Sequence, residues 1–173
     1  LTSSKSIVEY GCGTGSNIDF IRKNLSVPYK FYGTDWAKSA CIKLIENKIL
    51  DSKCVFQVNY FDKNTFKSPE ESYIAFTNAS LEQAGNSYEE FIDYLINDTP
   101  CEMGIHIEPI RELLDLSIPL NLQSHKYEQQ RGYLENFMSV LKRKRLRIIQ
   151  SIDYGIGSHF INGYQVVVWI KDD

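Results

Sequence analysis

Long apolar runs and a strongly basic composition are both missing from this sequence of 173 residues. No run approaches the roughly 20 residues that a membrane helix needs, so we expect no membrane insertion. The formal net charge is -3 at pH 7. Domains that bind the phosphate backbone of nucleic acids are usually basic. Because this chain is acidic, we also expect no nucleic acid as its main partner. The sequence opens almost directly on a core strand without a signal peptide, which predicts an upstream segment or domain of the same protein.

Paired metal-binding motifs are absent as well. The four cysteines, Cys12, Cys41, Cys54 and Cys101, contain no CxxC pair, and no closely spaced histidine pair accompanies them. This pattern argues against a zinc site, and we predict no metal. A chain of this length can build a core without disulfides. The cysteines are therefore interpreted as reduced thiols of a cytoplasmic protein.

Strand-like and helix-like segments alternate along the chain, which is typical of an α/β sheet with helices on both faces. The last two strand-like segments are separated by glycines and predict an antiparallel hairpin. The seven predicted strands are Ser6–Tyr10, Tyr29–Thr34, Lys53–Val58, Tyr73–Thr77, Met103–Glu108, Leu146–Tyr154 and Tyr164–Lys171. The predicted helices are Ser16–Leu25, Ala37–Ile49, Tyr88–Ile96 and Tyr127–Lys142, while Leu113–Ser124 is predicted as a loop with a helical turn, broken by Pro119.

The most informative motif is the run from Glu9 to Gly15, between the first strand and the first helix. Its glycines, Gly11, Gly13 and Gly15, allow a sharp turn and close approach of a ligand to the backbone and to the helix N-terminus. An acidic residue ahead of Gly-x-Gly-x-Gly resembles class I S-adenosylmethionine (SAM)-dependent methyltransferases more than nicotinamide-binding proteins. The resemblance implies SAM as cofactor, bound by the loop that includes Cys12, with Glu9 near the methionine ammonium group; alternatively, Glu9 only caps the loop.

Two later strand ends extend the cofactor site. Asp35, at the end of the second strand, can accept hydrogen bonds from both ribose hydroxyls, and it can also cap the next helix. Trp36 is expected either to pack on the adenine or to fill the core. Asn59 stands where the family usually has an aspartate; its carbonyl can accept from an adenine amine, with Tyr60 as a neighbouring contact, or it can simply favour a turn.

The segment after the fourth strand predicts contacts with the methionine end of SAM or with the acceptor. Ser80 and Leu81 are assigned to the cofactor site, and Glu82 and Gln83 adjoin them. Neither the Asn/Asp-Pro-Pro-Tyr motif of methyltransferases that act on base or amide nitrogens nor a Pro-Cys pair occurs here. Residues 157–160 of the terminal hairpin are a further candidate wall of the acceptor site.

His106 and Glu108 are predicted as catalytic residues. They lie two apart on the fifth strand, so both side chains point to the same face and toward the rim of the crevice. Methyl transfer to a hydroxyl requires loss of its proton, and either residue could be the general base. The alternatives are a structural His–Glu pair and, from only two ligands, a metal site.

The resemblance to class I methyltransferases covers nearly the whole chain and implies one Rossmann-like domain. Its sheet has the strand order 3-2-1-4-5-7-6, mostly parallel, with the last-inserted strand antiparallel. A looser resemblance to bacterial sugar O-methyltransferases implies a hydroxyl acceptor on a polysaccharide precursor or another small molecule. A small-molecule N-methyltransferase and a non-catalytic SAM-binding domain of a larger protein are the alternatives.

Overall fold

Seven strands form one sheet in the order β3-β2-β1-β4-β5-β7-β6. The computed structural model describes residues 5–153, 155, 157 and 161–171 of the chain. The strands are β1 (Ser6–Tyr10), β2 (Lys30–Asp35), β3 (Val55–Gln57), β4 (Tyr73–Asn78), β5 (Cys101–Glu108), β6 (Leu146–Asp153) and β7 (Gln165–Lys171). The strand order predicted from the sequence is confirmed.

The first five strands run parallel, and only β7 runs against its neighbours β5 and β6. This arrangement confirms the predicted terminal hairpin. The pairing of β5 with β7 places Glu108 opposite Gln165 and His106 opposite Val167. Residues 158–160, which the sequence suggested as a wall of an acceptor site, lie outside the described residues.

In the described part of the chain five α-helices flank the sheet. The contacts of two adjacent residues of β1 show that these helices cover both faces of the sheet. The helices are α1 (Ser16–Asn24), α2 (Lys38–Glu46), α3 (Tyr88–Asn97), α4 (Pro119–Arg131) and α5 (Phe137–Arg143). Successive strand residues point to opposite faces. Glu9 accepts a hydrogen bond from Asn17 of α1, while the ring of Tyr10 meets Phe91 of α3 edge to face at 4.8 Å.

The region between β5 and β6 differs from the prediction. Pro119 does not break a helix but occupies the first turn of α4, where proline is tolerated because that position has no intrahelical partner for an N–H. The predicted helix Tyr127–Lys142 is wrong, since α4 ends at Gly132, whose φ of 65° starts a left-handed turn. A separate helix, α5, follows. In the structure Glu128 therefore lies near the end of α4, and not at the start of a helix as the prediction had it.

Trp169 of β7 is fully buried beside the backbone of β5. A Cβ atom added to Gly104 would lie 2.3 Å from Cε2 of the Trp169 indole, so only glycine leaves room for the ring. The indole N–H donates to His106 Nε2 at 2.9 Å, which holds the ring in one position. The last two strands of the sheet are thus locked to β5 by one large side chain.

We predict that Gly104→Ala destabilises the fold by about 1–3 kcal/mol, because the added methyl group overpacks the core against Trp169. The measurement is the free energy of unfolding in urea. The same substitution should cost less in a Trp169→Phe background, which removes the clashing part of the indole. Equal costs in the two backgrounds would contradict the proposed clash.

Candidate cofactor and acceptor site

A cavity of about 320 Å³ opens at the carboxyl ends of the parallel strands. In open α/β sheets this edge, near the point where the strand order reverses, is the usual place for a ligand. The cavity is bordered by the loop after β1, the end of β2, and the segments after β3 and β4. Its lining residues are Gly11, Asp35, Trp36, Val58, Asn59, Tyr60, Phe61, Ala79, Ser80 and Gln83.

The glycine-rich loop is shaped by close approaches. Gly11 has a φ of 74°, and a Cβ atom there would lie 2.4 Å from Cβ of Ser80. The N–H groups of Gly11 and Cys12 both donate to the carbonyl of Thr34 at 2.8 Å, which ties the loop to β2. Gly15, with a φ of 85°, precedes α1. Gly11 therefore presents bare backbone to the cavity, whereas Gly13 and Gly15 are not among its lining residues.

Asp35 is 8% exposed at the end of β2, and both of its carboxylate oxygens hold backbone in place. Oδ2 accepts from the N–H of Gly13 at 2.9 Å, and Oδ1 accepts from the N–H of Ala37 at 2.8 Å. Each oxygen keeps a second lone pair for a ligand. Asp35 thus joins the glycine-rich loop to the start of α2 while it lines the cavity.

Aromatic and amide side chains form the opposite wall of the cavity. The Trp36 side chain is exposed at the cavity mouth, so it does not fill the core. Asn59 uses its side-chain carbonyl to cap a turn, accepting from the N–H of Phe61 at 3.0 Å, while it borders the cavity. The Tyr60 hydroxyl lies 3.3 Å from Ser80 Oγ. Burial raises the pKa of Tyr60 well above the usual value for a tyrosine.

Glu9 and Cys12 lie beneath the loop and do not line the cavity. Glu9 is 1% exposed; its Oε1 accepts from Asn17 at 2.7 Å, and its Oε2 has no partner among the described residues. Burial raises the pKa of Glu9 to about 7, with a smaller contribution from the charge of Asp35. Cys12 is buried. The orphaned Glu9 oxygen is the only feature here that matches the expected contact with an ammonium group.

Glu108 organises the segment after β4. Its fully buried carboxylate accepts hydrogen bonds from the backbone N–H groups of Ser80, Leu81 and Glu82 at 3.1–3.2 Å. Ser80 in turn donates through Oγ to the Tyr10 carbonyl at 2.8 Å. Glu108 therefore positions the backbone that lines the cavity, and it also interacts with the side chains of Thr77 and Glu82.

His106 is placed in the core and not at the rim of the crevice, which corrects the expectation from the sequence. Its side chain is fully buried. Trp169 Nε1 donates to its Nε2, so Nδ1 must carry the proton and donate to Thr77 Oγ1 at 2.9 Å. Burial lowers the pKa of His106 to about 3, so the ring is neutral. Both nitrogens are occupied, and neither is presented to an acceptor.

Two further buried carboxylates lie beside Glu108. Glu82 is 6% exposed and Glu128, on α4, is 1% exposed. Burial and the adjoining Glu108 raise the pKa of Glu82 to about 9, and the charge of Glu128 adds to the effect. Burial raises the pKa of Glu128 to about 7, partly offset by the charge of Arg111. Sequence reasoning missed Glu128, because it placed the residue within a different helix.

Metal ligands and membrane spans were also sought among the described residues. No group of three or more His, Cys, Asp or Glu side chains there is arranged to hold a metal ion. All four cysteines are free and buried. No helix in the described part of the chain has the length and hydropathy needed to span a membrane.

No protein-family model matches the sequence, and no curated protein is significantly similar to it. Solved structures do match. The methyltransferase domain of bacterial CtHen1 is 17% identical with a TM-score of 0.62, covering 97% of this chain and 91% of that chain. The plantazolicin methyltransferase BpumL, in complex with S-adenosylhomocysteine (SAH) and a substrate analogue, is 18% identical with a TM-score of 0.62, covering 97% and 77%. The chain has the class I methyltransferase fold.

A third similar structure is the small RNA methyltransferase HEN1, with 15% identity and a TM-score of 0.67. The match covers 99% of this chain but 24% of that chain, so it concerns one part of a larger protein. At these identities the likeness establishes the fold, and the chemistry must be argued from the residues themselves.

The buried carboxyl of Glu128 predicts a specific pH dependence of stability. The folded protein holds a proton on this group up to about pH 7, whereas the ordinary pKa is 4.5. Its contribution to stability is therefore full below pH 4.5 and is lost as pH rises through about 7. We expect Glu128→Gln to gain stability relative to wild type over this range, as measured by urea unfolding.

Glu70→Gln is the matched control, since Glu70 is exposed and the charge change is the same. Its free energy of unfolding should stay within about 0.5 kcal/mol of wild type, as for other exposed positions. A pH-independent difference for Glu128→Gln would show that the buried carboxyl does not retain its proton.

Proposed function

We propose that this chain binds SAM in the cavity at the ends of β1 to β4 and catalyses methyl transfer from it to a small-molecule acceptor. The observation that carries the proposal is Asp35. Its nearly buried carboxylate lines the cavity, and each oxygen that accepts from Gly13 or Ala37 has a second lone pair to offer. Two ribose hydroxyls are the donors that such a carboxylate suits.

The other walls suit the remaining parts of SAM. The exposed Trp36 indole can stack on an adenine, and the Asn59 carbonyl can accept from the adenine amine with its second lone pair. Gly11 lets the backbone approach the ligand without a side chain in the way. The orphaned Oε2 of Glu9 lies beneath the glycine-rich loop and not in the cavity wall, so the contact with the methionine ammonium group that the sequence predicts would require this loop to shift.

SAM supplies an electrophilic methyl group on a sulfonium. The protein's contribution is to hold cofactor and acceptor in line and to exclude water. Ser80, anchored to Tyr10 and through its backbone to Glu108, keeps the segment after β4 in a single position beside the cavity. Acceptors reach the methyl group over this segment, so its rigidity serves the alignment directly.

The identity of the acceptor atom depends on which side chains can take a proton. The sequence-based hypothesis of a sugar hydroxyl requires a general base, and His106 has no free nitrogen for that role. Glu108 is engaged with three backbone N–H groups, and Glu82 is the other carboxyl on the segment after β4, between Ser80 and Gln83 in the sequence. A hydroxyl acceptor with Glu82 as base is the remaining form of that hypothesis, and it requires a pH above about 9, because Glu82 holds a proton below its raised pKa.

Nucleic acid is a second candidate class of acceptor. The net charge of -3 argues against it. The similarity to a small RNA methyltransferase weakens the exclusion that we drew from the sequence, because the same fold is used there on RNA. We favour a small-molecule acceptor, since the fold alone does not determine the substrate.

We predict that Asp35→Asn weakens SAH binding by about tenfold or more, since it replaces a charged acceptor of two hydroxyl hydrogen bonds by an amide. Isothermal calorimetry of SAM and SAH with wild type and variant measures this. The effect of Asp35→Asn on folding should be checked by circular dichroism, because Asp35 also holds Gly13 and Ala37.

Asp62→Asn provides the control, because Asp62 caps a turn outside the set of cavity-lining residues. It should leave the SAH affinity within about twofold of wild type. Equal affinities for Asp35→Asn and wild type, or no SAH binding by folded wild-type protein, would refute the proposed cofactor site. Binding without transfer to any acceptor would favour a non-catalytic SAM-binding domain.

A further inference from the structure

The buried carboxyl cluster of Glu82, Glu108 and Glu128 has no cation to balance it among the described residues apart from Arg111. Arg111 acts on Glu128 but is itself paired with Glu135 at 2.7 Å. Burying a carboxylate without a partner is costly, and such groups normally are paired or keep a proton. Three of them close together in one place therefore indicate either three protons or a missing positive charge.

Unpartnered oxygens mark where that charge would bind. Oε2 of Glu82 and Oε2 of Glu128 are buried and accept no hydrogen bond from a donor in the described structure. The backbone N–H of Glu82 donates to Glu108 at 3.2 Å, so the two residues adjoin each other, and burial together with the charge of Glu108 raises the pKa of Glu82. Glu128 faces the same cluster, because its charge acts on Glu82 and on Tyr164.

The cluster lies next to the proposed cofactor cavity. Glu82 stands between Ser80 and Gln83, both of which line the cavity. The segment after β4 approaches the end of α4 at Gly85. A Cβ atom on Gly85 would lie 3.1 Å from the carbonyl of Gly132, which follows α4. The segment after β4 therefore adjoins the end of α4, and the charge of Glu128 acts on Glu82 beside the residues that line the cavity.

Two tyrosines complete the surroundings. The charges of Glu82, Glu108 and Glu128 all act on Tyr164, and the charge of Glu82 acts on Tyr133. Aromatic rings attract organic cations through their faces, and carboxylates attract them by charge. A bare metal ion would need three or more ligating side chains in a suitable arrangement, and the described residues contain none.

We propose that Glu82 and Glu128 bind the protonated amino group of the acceptor, and that this nitrogen receives the methyl group. The proposal rests on the proposed function, because it names the acceptor class for that site. With a neutral hydroxyl acceptor the cluster would have only its own protons to neutralise it, whereas an ammonium group supplies a positive charge and N–H donors to the orphaned oxygens.

The chemical steps balance as follows. The ammonium group gives one proton to a carboxylate of the cluster, which leaves a lone pair on the nitrogen. This lone pair forms the C–N bond with the sulfonium methyl group as the C–S bond breaks, and the electron pair of that bond stays on the sulfur of SAH. The product is a methylated ammonium ion, and the proton on the carboxylate returns to solvent.

The test compares matched amines and alcohols as acceptors. The probes are butylamine, cyclohexylmethylamine and 2-phenylethylamine, each against the alcohol of the same skeleton, with SAM and wild-type protein. We expect amine-dependent SAH formation that the alcohols do not support. Calorimetry of each amine with the protein–SAH complex, in buffers of different ionisation enthalpy, should show release of protons, because the cation displaces the proton that Glu82 holds.

Isosteric variants test whether Glu82 and Glu128 are the residues that bind the amine. Glu82→Gln and Glu128→Gln should each lower amine turnover by about tenfold or more and reduce the proton release, with SAH affinity retained and thermal stability at least equal to that of wild type. Glu70→Gln, which removes an exposed carboxylate, should behave as wild type. Full amine turnover in both buried-site variants would overturn the proposal.

The remaining outcomes are equally decisive. Equal turnover of alcohols and amines, or SAH binding with no response to any amine, would overturn the amine assignment and leave the proposed cofactor site intact. Binding of Mn²⁺ to the cluster with the same proton release would replace the amine site by a metal centre. Failure of wild-type protein to bind SAH would instead be a failure of the proposed function.

Discussion

The buried carboxylate of Glu108 is the interaction on which the rest of the site depends. It gathers the N–H groups of Ser80, Leu81 and Glu82, which would otherwise be unpaired at the end of β4. The hydroxyl of Thr77 also bonds to it, and Thr77 accepts from His106, which accepts from Trp169. One hydrogen-bonded series therefore connects the terminal hairpin to the cavity wall, and such buried networks specify a single arrangement when every member is satisfied.

The surroundings of His106 and Glu108, the two β5 residues suggested as catalytic, give them different roles. His106 is a neutral core residue whose two nitrogens serve structure, whereas Glu108 anchors backbone beside the cavity. The carboxyl groups of the cluster with an oxygen that has no partner among the described residues are Glu82 and Glu128. The carboxyl cluster proposed to bind the acceptor thus adjoins the residues that the strand pattern singled out.

Sequence patterns predicted this fold well because its determinants are local. Alternation of strands and helices, the glycines after β1 and the terminal hairpin need only neighbouring residues to be recognised, and parallel pairing with crossover helices leaves few possible topologies. The cavity contacts of Gly11 and Asp35 follow from the same logic, since strand ends of a parallel sheet converge at one edge. The region after β5 was harder, because Pro119 suits both a helix start and a loop.

The sequence by itself determined most of the strands and helices and the glycine-rich turn, because each depends on residues close together along the chain, and its resemblance to class I methyltransferases implied the strand order. Only the tertiary structure decided which polar side chains are buried and with what partners. His106 and Trp169 are 63 residues apart yet share a hydrogen bond. Glu82 and Glu128 interact through space from two different elements. Burial and long-range contact set protonation, and no pattern of neighbours records either one.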